Sequence, residues 1–419
     1  MKIVFLDLNC ETPMPPFFQE AFESLGHEVA TVFAAGAAPE QLERDLDCGA
    51  KLILAVHNTA FLAGETLASP RLAGAKKAVL YYDDPMNGYT LFGRRHPLVS
   101  RWREMGAVHF IWDGYWRRKM KDVAGWDSFA THLAAEPNRF SPEKSPAIPG
   151  IGHCVVFLGN IPSLESIQAD QGALPEPYRQ AARLFCGKMA KGVYGLNPFE
   201  AMEEVVGELP PPAKTQIHEE TESWLNGAVD LRRSIPPHVQ LRRLAWNFGK
   251  RITRLRALRA VSRVAPAAIL SNLKLSGVAG RDELLQEMGG GKGHDLLFVD
   301  SSQASYYQLA HLYRSGLVHF QTTDPQSVDG GIPYRVFQCA ACAVPLISDA
   351  KKELLECFEP DREMIYFNRE DEIAGVVERA LGNRASLRDV GMAAYERYKR
   401  EHTWIHRATD ILLRTGCLG

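Results

Sequence analysis

The stretch 329–338 combines residue types that suit the binding of a phosphorylated ligand. Gly330 and Gly331 allow the backbone to approach a ligand closely, and the proline that follows them suits the first turn of a helix. A helix start presents unpaired N–H groups and partial positive charge, to which Arg335 would add a cation. Gln338 lies one turn further, where its amide can bond sugar hydroxyls. An ordinary glycine turn before a core helix would show the same pattern.

Alternating apolar runs and amphipathic stretches surround this motif, a pattern typical of βα units and a parallel sheet. A proline-rich stretch interrupts the pattern and predicts a domain boundary near 145–152. Strands are predicted at 2–6, 27–33, 52–56, 78–82, 108–112 and 131–134, then at 154–158, 296–299, 317–320, 344–347 and 364–367. Because ligands of open α/β sheets bind beyond the carboxyl ends of the strands, the residues that follow each strand are candidates for function.

Composition excludes several classes of protein. A chain of 419 residues is too long to fold around one compact hydrophobic core, so two or three domains are predicted. The formal net charge of −2 argues against a dedicated nucleic-acid binder, which usually carries a basic excess. Eight cysteines are too few for a disulfide framework in so long a chain. We find neither a secretory signal nor a stretch of about 18 apolar residues, so we expect a soluble cytoplasmic protein.

Several short segments together resemble the CgeB-like glycosyltransferases of the GT-B superfamily. The longest is 334–348, where an arginine and a small-residue helix lead into a strand. The segments 26–29, 83–85, 156–160 and 401–407 resemble other elements of this family, and their order along the chain is right. The region 163–292 aligns with nothing that we recognise.

This resemblance implies an α/β fold of GT-B type. Two Rossmann-like domains would face each other across a cleft, with a C-terminal helix packing back toward the N-terminal domain. The implied divisions are an acceptor-side domain at 1–148, a nucleotide-sugar donor domain at 149–400 and the returning helix at 401–419. A helical, basic insertion is expected near 200–290.

The activity implied by the resemblance is the transfer of a sugar from a nucleotide-sugar donor, with no metal or other cofactor. Gly330, Gly331 and Arg335 would hold the donor diphosphate, while Gln338 stands where many relatives carry a glutamate for the ribose or sugar. Both acids of the superfamily's usual pair are missing, because Gly330 and Gln338 occupy their places. A non-catalytic glycosyltransferase-like binding protein therefore stays open, as does a sugar-nucleotide epimerase of GT-B fold.

An inverting transferase would also need a general base in the N-terminal domain. His57, Asp83, Asp84 and Asp113 each follow a predicted strand and so can face the cleft. Asp84 ranks first because it belongs to a segment that resembles the family, and His57 ranks second. Each of the four can instead be a capping or turn residue.

The donor's nucleobase is expected near the loop that follows the predicted strand 296–299. Asp300 and Ser302 lie in that loop, where a carboxylate and a hydroxyl can read base edges. The alternative is that these residues cap the next helix.

The region 231–280 contains many basic residues and no acidic residue. Apolar residues recur within it three or four positions apart, which predicts an amphipathic helix. Such a helix can contact an anionic membrane surface or an anionic acceptor, or simply be a solvated helix with a buried stripe. The predicted partners are thus a nucleotide-sugar donor and a glycan, lipid-linked or protein acceptor, without nucleic acid. Peripheral contact with the inner membrane face through 232–263 stays open.

Overall fold

The computed structural model contains two parallel β-sheets flanked by helices. It describes residues 1–7, 14–34, 37–56, 64–82, 90–91, 94–95, 104–143, 148, 150–192, 194–226, 236–272, 277–288, 296–301 and 309–418. The strands are β1 (Lys2–Asp7), β2 (Glu28–Phe33), β3 (Leu52–Val56), β4 (Lys76–Tyr81), β5 (Thr90–Leu91), β6 (Arg94–Arg95), β7 (Val108–Ile111), β8 (Ser128–Ala130), β9 (Val155–Leu158), β10 (Ala267–Ser271), β11 (Leu296–Asp300), β12 (Val318–Gln321), β13 (Leu346–Asp349) and β14 (Ile365–Phe367).

The α-helices lie mainly between these strands. They are α1 (Met14–Ser24), α2 (Pro39–Leu46), α3 (Gly64–Leu67), α4 (Gly114–Ala124), α5 (Leu164–Ala173), α6 (Tyr178–Lys191), α7 (Pro198–Glu208), α8 (Pro211–Asn226), α9 (Pro237–Ser262), α10 (Arg281–Glu287), α11 (Leu309–Arg314), α12 (Tyr334–Ala341), α13 (Lys352–Cys357), α14 (Ile373–Gly382), α15 (Arg384–Glu401) and α16 (Trp404–Arg414). Short 3₁₀ turns occur at Pro70–Leu72 and Glu370–Glu372.

The first sheet has the strand order β2-β1-β3-β4-β7-β8, with all neighbours parallel. Its central strands are continuous apolar runs, as expected for strands that are covered on both faces. The sixth strand was predicted at 131–134 but lies at Ser128–Ala130. Its ladder with β7 ends at Ala130, and the carbonyls of His132 and Leu133 accept hydrogen bonds from Arg407 instead.

The second sheet has the order β11-β10-β9-β12-β13-β14, again with all neighbours parallel. Counted along the chain this is 3-2-1-4-5-6, the order of Rossmann dinucleotide-binding sheets. The strand order reverses between β9 and β12, so ligands are expected at the carboxyl ends of these two strands. Sequence analysis missed β10, a five-residue run that begins soon after a long helix.

Five helices, α5 to α9, form a helical layer between β9 and β10 with an apolar cluster of their own. The helical insertion was predicted near 200–290. The helical layer begins earlier, at Leu164, and the predicted range also contains β10, which is a strand of the second sheet. The longest helix, α9, approaches α7 so closely that a Cβ at Gly249 would lie 3.0 Å from the Pro198 Cβ.

The basic side chains of α9 are mostly used inside the protein. Arg242, Arg251 and Arg254 are buried, and the Arg242 guanidinium lies 4.8 Å from the centroid of the Phe199 ring. Arg251 donates to the Pro162 carbonyl oxygen at 2.5 Å. These three arginines cannot reach a lipid surface, whereas Arg243, Arg259 and Arg263 are exposed. Among the described residues, no helix has the length and apolar character that crossing a bilayer requires.

The C-terminal helix α16 packs against the first sheet's helix α1, as predicted. The Trp404 ring lies 4.8 Å from the Phe18 ring and 5.8 Å from the Phe17 ring, measured between centroids. Its indole nitrogen donates to Glu136 Oε1 at 3.1 Å. The helix thus ties the end of the chain to the N-terminal sheet.

Candidate functional site

One predicted site residue, Asp300, lies at the edge of the second sheet, and four others are outside the part of the chain that the structure describes. Asp300 ends the edge strand β11 and is exposed. Two strand spacings, about 10 Å, separate β11 from β9, where the strand order reverses. Asp300 therefore lies two strands away from the reversal point, and its contact with a nucleobase stays a prediction. The other four predicted site residues outside the described part of the chain are His57, Asp83, Asp84 and Ser302.

The predicted diphosphate cradle at Gly330 and Gly331 is filled by a side chain of the same protein. The backbone amides of Asp329, Gly330 and Gly331 all donate to Asp113 Oδ2, at 3.0, 3.0 and 2.8 Å. Asp113 comes from the first sheet's side and is fully buried. In this structure the two glycines thus have no free amide for a diphosphate, which corrects the prediction.

The two glycines permit a close approach, but the approaching group is protein and not the ligand that the sequence predicted. Gly330 has a φ of +124°, which disfavours any side chain. A Cβ at Gly331 would lie 2.8 Å from the Trp112 ring and 3.2 Å from the Asp113 Cβ. Glycine at 331 therefore lets the start of α4 reach the loop before α12, whereas a Cβ at Gly330 would lie 2.9 Å from the Lys351 Cβ at the start of α13.

Asp113 is not placed to act as a general base here, contrary to the prediction. Its Oδ1 accepts from the Tyr115 amide at 2.9 Å, which caps α4, and its Oδ2 accepts the three amides of the opposite loop. Burial raises the pKa of this carboxyl, the amides of Gly331 and Gly330 oppose that rise, and the Asp329 carboxylate adds to it. With both oxygens held by backbone N–H groups, Asp113 instead joins the two halves.

Gln338 faces the core and not a ligand. It is 2% exposed, and its Oε1 accepts from the Tyr313 hydroxyl at 2.7 Å. The one-turn spacing from Arg335 was correct, but the helix turns this amide toward α11. The predicted contact with sugar hydroxyls is therefore wrong for this conformation.

Arg335 lies at the point where the second sheet's strand order reverses. A Cβ at Gly159, directly after β9, would be 3.0 Å from Arg335 Nη2. The Arg335 guanidinium is also 6.0 Å from the centroid of the Phe157 ring on β9. Within the described part of the chain no carboxylate forms an ion pair with Arg335, so its charge is available to an anionic ligand.

Two further cations of α9 approach the same place and were not singled out as ligand-binding residues by sequence analysis. The Arg254 guanidinium lies 5.6 Å from the Phe157 ring centroid, and Lys250 Nζ lies 3.2 Å from Asp324 Oδ2. Asp324 also approaches Arg254 Nη2 at 3.7 Å and accepts from the Trp246 indole. The signal in the sequence was the basic segment without acidic residues, for which a membrane contact, an anionic acceptor and a solvated helix with a buried stripe were all left open.

The electrostatics of this cation cluster, Lys250, Arg254 and Arg335, favour an anion. Burial lowers the pKa of Arg254 to about 10, with Arg335 adding to the decrease, and burial together with Arg254 lowers the pKa of Lys250. Burial alone would raise the pKa of Asp324, but Lys250 and Arg254 hold it below its ordinary value. Two cations thus share one carboxylate, with Arg335 close enough to Arg254 to oppose its charge, and an added anion would relieve this repulsion.

A cavity of about 110 Å³ is lined by Asp324, the carboxylate that pairs with Lys250 and Arg254. The carboxyl ends of β12, β13 and β14 contribute Thr323, Asp349 and Asn368 to its lining. Two other lining residues, Tyr194 and Asn197, carry a buried hydroxyl and a buried amide nitrogen that have no hydrogen-bond partner in the described structure. Unpaired buried polar groups cost free energy, so the cavity suits a hydroxylated ligand or ordered water.

Substitution of Gly159 tests the geometry of Arg335. In Gly159→Ala the new Cβ would displace the flexible end of Arg335 and strain a backbone whose φ is +157°, so we expect a loss of stability of about 1–3 kcal/mol. A displaced guanidinium should weaken the binding of nucleoside diphosphates by about tenfold. Isothermal titration with UDP, GDP and ADP measures this effect, with Gly172→Ala on α5 as the control. Equal affinities in both variants would contradict the placement of Arg335.

The comparisons with known proteins agree with this architecture. Residues 257–413 match the protein family described as glycosyl transferase-like. A sucrose-phosphate synthase from Thermosynechococcus elongatus is similar over 100% of this chain and 99% of its own, with 13% identity and a TM-score of 0.55. Anabaena HepE, in complex with UDP-glucose, is similar over the whole of both chains, with 9% identity and a TM-score of 0.53. No curated protein matches the sequence.

A third structure, a glycosyltransferase from Rickettsia africae, covers 99% of this chain and 97% of its own, with 7% identity and a TM-score of 0.51. These likenesses extend over both halves of the molecule. The chain has the GT-B fold. The predicted fold class is confirmed, with two Rossmann-like halves, and the cation cluster lies on the C-terminal half of this GT-B protein. Within the described residues no group of three or more His, Cys, Asp and Glu side chains is arranged to hold a metal ion.

Proposed function

We propose that this protein transfers a sugar from a nucleotide-sugar donor to an acceptor and holds the donor diphosphate against Arg335. The observation that carries the proposal is the Arg335 guanidinium at the reversal point of the 3-2-1-4-5-6 sheet, which forms no ion pair with a described carboxylate and lies near Lys250 and Arg254. The glycosyl transferase-like match over 257–413 and the UDP-glucose complex of Anabaena HepE support it. We place the protein beside the CgeB-like enzymes because of the segment 334–348.

The cation cluster supplies what glycosyl transfer requires of an enzyme. The leaving diphosphate gains negative charge as its bond to the sugar breaks, and fixed cations in a partly dry site stabilise that charge. Lys250, Arg254 and Arg335 provide such charges without a metal ion, so the proposed reaction is metal-independent. The adjoining cavity would accept the hydroxyl groups of the sugar through Tyr194 and Asn197.

Replacement of Arg335 tests the proposal. Arg335→Ala should weaken the binding of the preferred nucleoside diphosphate by about 30-fold, as expected for loss of a charged hydrogen-bonding group worth about 2 kcal/mol. Isothermal titration with UDP, GDP and ADP provides the measurement. The control is Arg243→Ala, an exposed arginine of α9 that should leave affinity unchanged. If none of the three nucleotides binds, or if both variants bind as the wild type does, the proposal is wrong.

One observation favours a second candidate, a non-catalytic glycosyltransferase-like protein. Asp113 fills the amide loop, and Gln338 faces the core, so two predicted donor contacts are missing. Incubation with UDP-glucose and with GDP-mannose distinguishes the candidates, because an active transferase should release nucleoside diphosphate slowly even to water. Binding of the nucleotide without any release would favour the non-catalytic protein.

A further inference from the structure

A groove of about 640 Å³ lies between the last turns of α9 and the turn that follows β14. Small-molecule sites in proteins have volumes of about 300–1,000 Å³, so this groove has room for a ligand. The residues of the cation cluster do not line it. We call it the arginine groove, because its charged lining residues are Arg256, Arg259, Arg263 and Arg369, together with Glu370 and Asp371.

The spacing of three arginines along α9 places them on one face of the helix. At about 100° per residue, positions 256, 259 and 263 fall within about 60° of one another around the helix axis. Arg263 directly follows the last residue of α9 and keeps a helical backbone, with a φ of −73° and a ψ of −23°. Ala260 lies on the same face and also lines the groove, where its small side chain leaves space. The sequence of α9 thus builds a row of guanidinium groups along an open groove.

The two acids of the groove are already used by two of its arginines. Arg256 Nη1 lies 4.0 Å from Glu370 Oε2, and the Arg256 guanidinium also donates to two backbone carbonyl oxygens at 2.8 and 2.9 Å. Arg369 Nε lies 3.0 Å from Asp371 Oδ1. These pairs leave no acid of the groove for its remaining arginines.

The remaining arginines, Arg259 and Arg263, have no acidic partner within the described part of the chain. Arg259 donates from Nε to the backbone carbonyl oxygen of Glu287 at 3.1 Å. Arg263 forms neither a hydrogen bond nor an ion pair with any described residue, and both side chains are exposed. They stand four residues apart, where like charges on a helix repel each other. The negative end of the helix dipole, equivalent to about half a charge, offsets only part of two full positive charges.

Two guanidinium groups in this arrangement suit a phosphate group. Each guanidinium is planar and can bind two oxygens of one anion, and side chains four residues apart on a helix have Cβ atoms about 5–6 Å apart. Arg259 and Arg263 can therefore contact the oxygens of one phosphate or pyrophosphate together. Such charge-assisted hydrogen bonds are stronger than neutral ones. The groove thus favours an anion that carries several oxygens.

The arginine groove adjoins the cavity that we assign to the donor sugar. Tyr194 and Asn368 line both spaces. The Tyr194 hydroxyl is buried and has no hydrogen-bond partner among the described residues. A molecule that is anchored by its phosphate in the groove can therefore extend past these two side chains toward the sugar.

We propose that the arginine groove binds a phosphate or pyrophosphate group of the sugar acceptor, with Arg259 and Arg263 as its anion-binding residues. This inference rests on the proposed function, because that function assigns the neighbouring cavity to the donor sugar. It gives the acceptor a chemical class, that of a phosphorylated molecule. The donor diphosphate and the acceptor phosphate then bind at separate places, the first at Arg335 and the second in the groove.

The test is isothermal titration of the full chain with inorganic pyrophosphate in the presence of a saturating amount of the preferred nucleoside diphosphate. The nucleotide occupies the Arg335 site, so the remaining heat reports on the groove. We expect the saturated wild type to bind pyrophosphate, and Arg263→Gln to weaken this binding by about tenfold or more, as for the loss of a charged hydrogen bond. Because Arg263 has no partner among the described residues, its replacement should leave the fold intact. Arg259→Gln serves as a second variant with the same expected effect.

The matched control for these variants is Arg243→Gln. Arg243 is an exposed arginine of the same helix and lies about 160° around its axis from Arg259 and Arg263. Its replacement removes one positive charge from α9 without changing the groove, so the affinity for pyrophosphate should not change. An equal loss in all three variants would overturn the inference, because it would come from net charge alone.

Glu370→Gln provides a change of opposite sign. Removing this carboxylate from the wall of the groove makes the groove more positive, so pyrophosphate should bind about threefold more tightly. Both this gain and the loss in Arg263→Gln should shrink in about 0.5 M salt, which screens exposed charges. A merely structural role of the two side chains would not produce effects of opposite sign. Equal affinities in the wild type, Arg263→Gln and Glu370→Gln would overturn the inference.

A second arm of the experiment identifies how the phosphate is presented. Vesicles of phosphatidylcholine that contain phosphatidate carry the same phosphate chemistry on a lipid. Co-sedimentation that Arg263→Gln abolishes would support a lipid-borne acceptor, whereas binding of pyrophosphate without co-sedimentation would support a soluble one. Co-sedimentation that Arg263→Gln leaves unchanged, in a protein that binds no pyrophosphate, would overturn the groove as the anion site.

The outcomes separate this inference from the proposed function. If a nucleoside diphosphate binds through Arg335 but the saturated protein binds no pyrophosphate, the inference is wrong and the proposed function stands. If no nucleoside diphosphate binds, the pyrophosphate titration is made without nucleotide. Loss of pyrophosphate binding in Arg263→Gln but not in Arg335→Ala would then establish the groove as an anion site, and would refute both the proposed function and the acceptor role that rests on it.

Discussion

Asp324→Asn is expected to lower the free energy of unfolding by about 3–5 kcal/mol, because it removes the counter-charge of two largely buried cations. Asp324 lies 3.2 Å from Lys250 Nζ and 3.7 Å from Arg254 Nη2, and its side chain is 18% exposed. In the variant, Lys250 and Arg254 would repel each other and Arg335 without compensation. Urea denaturation at neutral pH measures the loss, and Asp389→Asn is the exposed control.

A double variant shows whether the loss is electrostatic. Adding Lys250→Met to Asp324→Asn removes one of the uncompensated cations while keeping much of its apolar stem. The combined loss should then be smaller than the sum of the two single losses by about 1 kcal/mol or more. Additive losses would mean that Asp324 stabilises the protein by some other interaction.

Because the same carboxylate offsets the cation cluster, Asp324→Asn should also strengthen nucleotide binding in the molecules that remain folded.

The local elements of both sheets could be predicted from the sequence because each depends on its own residues. The apolar runs at Leu52–Val56 and Val155–Leu158 are strands with nearly the predicted bounds. The turn before α12 was also recognised, since two glycines and a proline are local signals. The strand β10 was missed because a run of only five residues shows little periodicity. Its place in the sheet is set by its pairing with β9 and β11, which are distant in the sequence.

The occupant of the glycine turn could not be predicted, because it comes from far away in the chain. Asp113 is 217 residues from Gly330, and no local pattern links the two. The same limit applies to α9, where composition reveals the positive charge but not which side chains are buried. Arg251 is buried because Glu283, Glu287 and the Pro162 carbonyl happen to surround it. Such partners are visible only once the fold is known.

Glu353 should make the stability of the protein decrease as the pH rises. Burial raises the pKa of its carboxyl to about 7, the nearby Asp113 and Asp329 carboxylates add to the rise, and Arg117 opposes it. One oxygen contacts Arg117, whereas Oε2 is buried without a hydrogen-bond partner in the described structure. The folded protein therefore keeps a proton on Glu353 at pH values where the unfolded chain has released it.

The sign of the effect follows from this difference in bound protons. Below the ordinary pKa of 4.5 both states are protonated, and between 4.5 and about 7 only the folded state is. Stability is then lost progressively as the pH rises through this range, by up to about 3 kcal/mol. Above about pH 7 both states are ionised and the loss is complete.

Glu353→Gln tests this expectation, because an uncharged amide cannot titrate. Its free energy of unfolding should fall less than that of the wild type between pH 4.5 and 7, as measured by urea denaturation across that range. Glu356→Gln, an exposed change on the same helix, should follow the wild type. Parallel curves for the wild type and Glu353→Gln would contradict the raised pKa. A proton on Glu353 also reduces the repulsion among the carboxylates at the interface, so the hydrogen bonds from the amides of residues 329–331 to Asp113 should be firmer on the acidic side of neutrality.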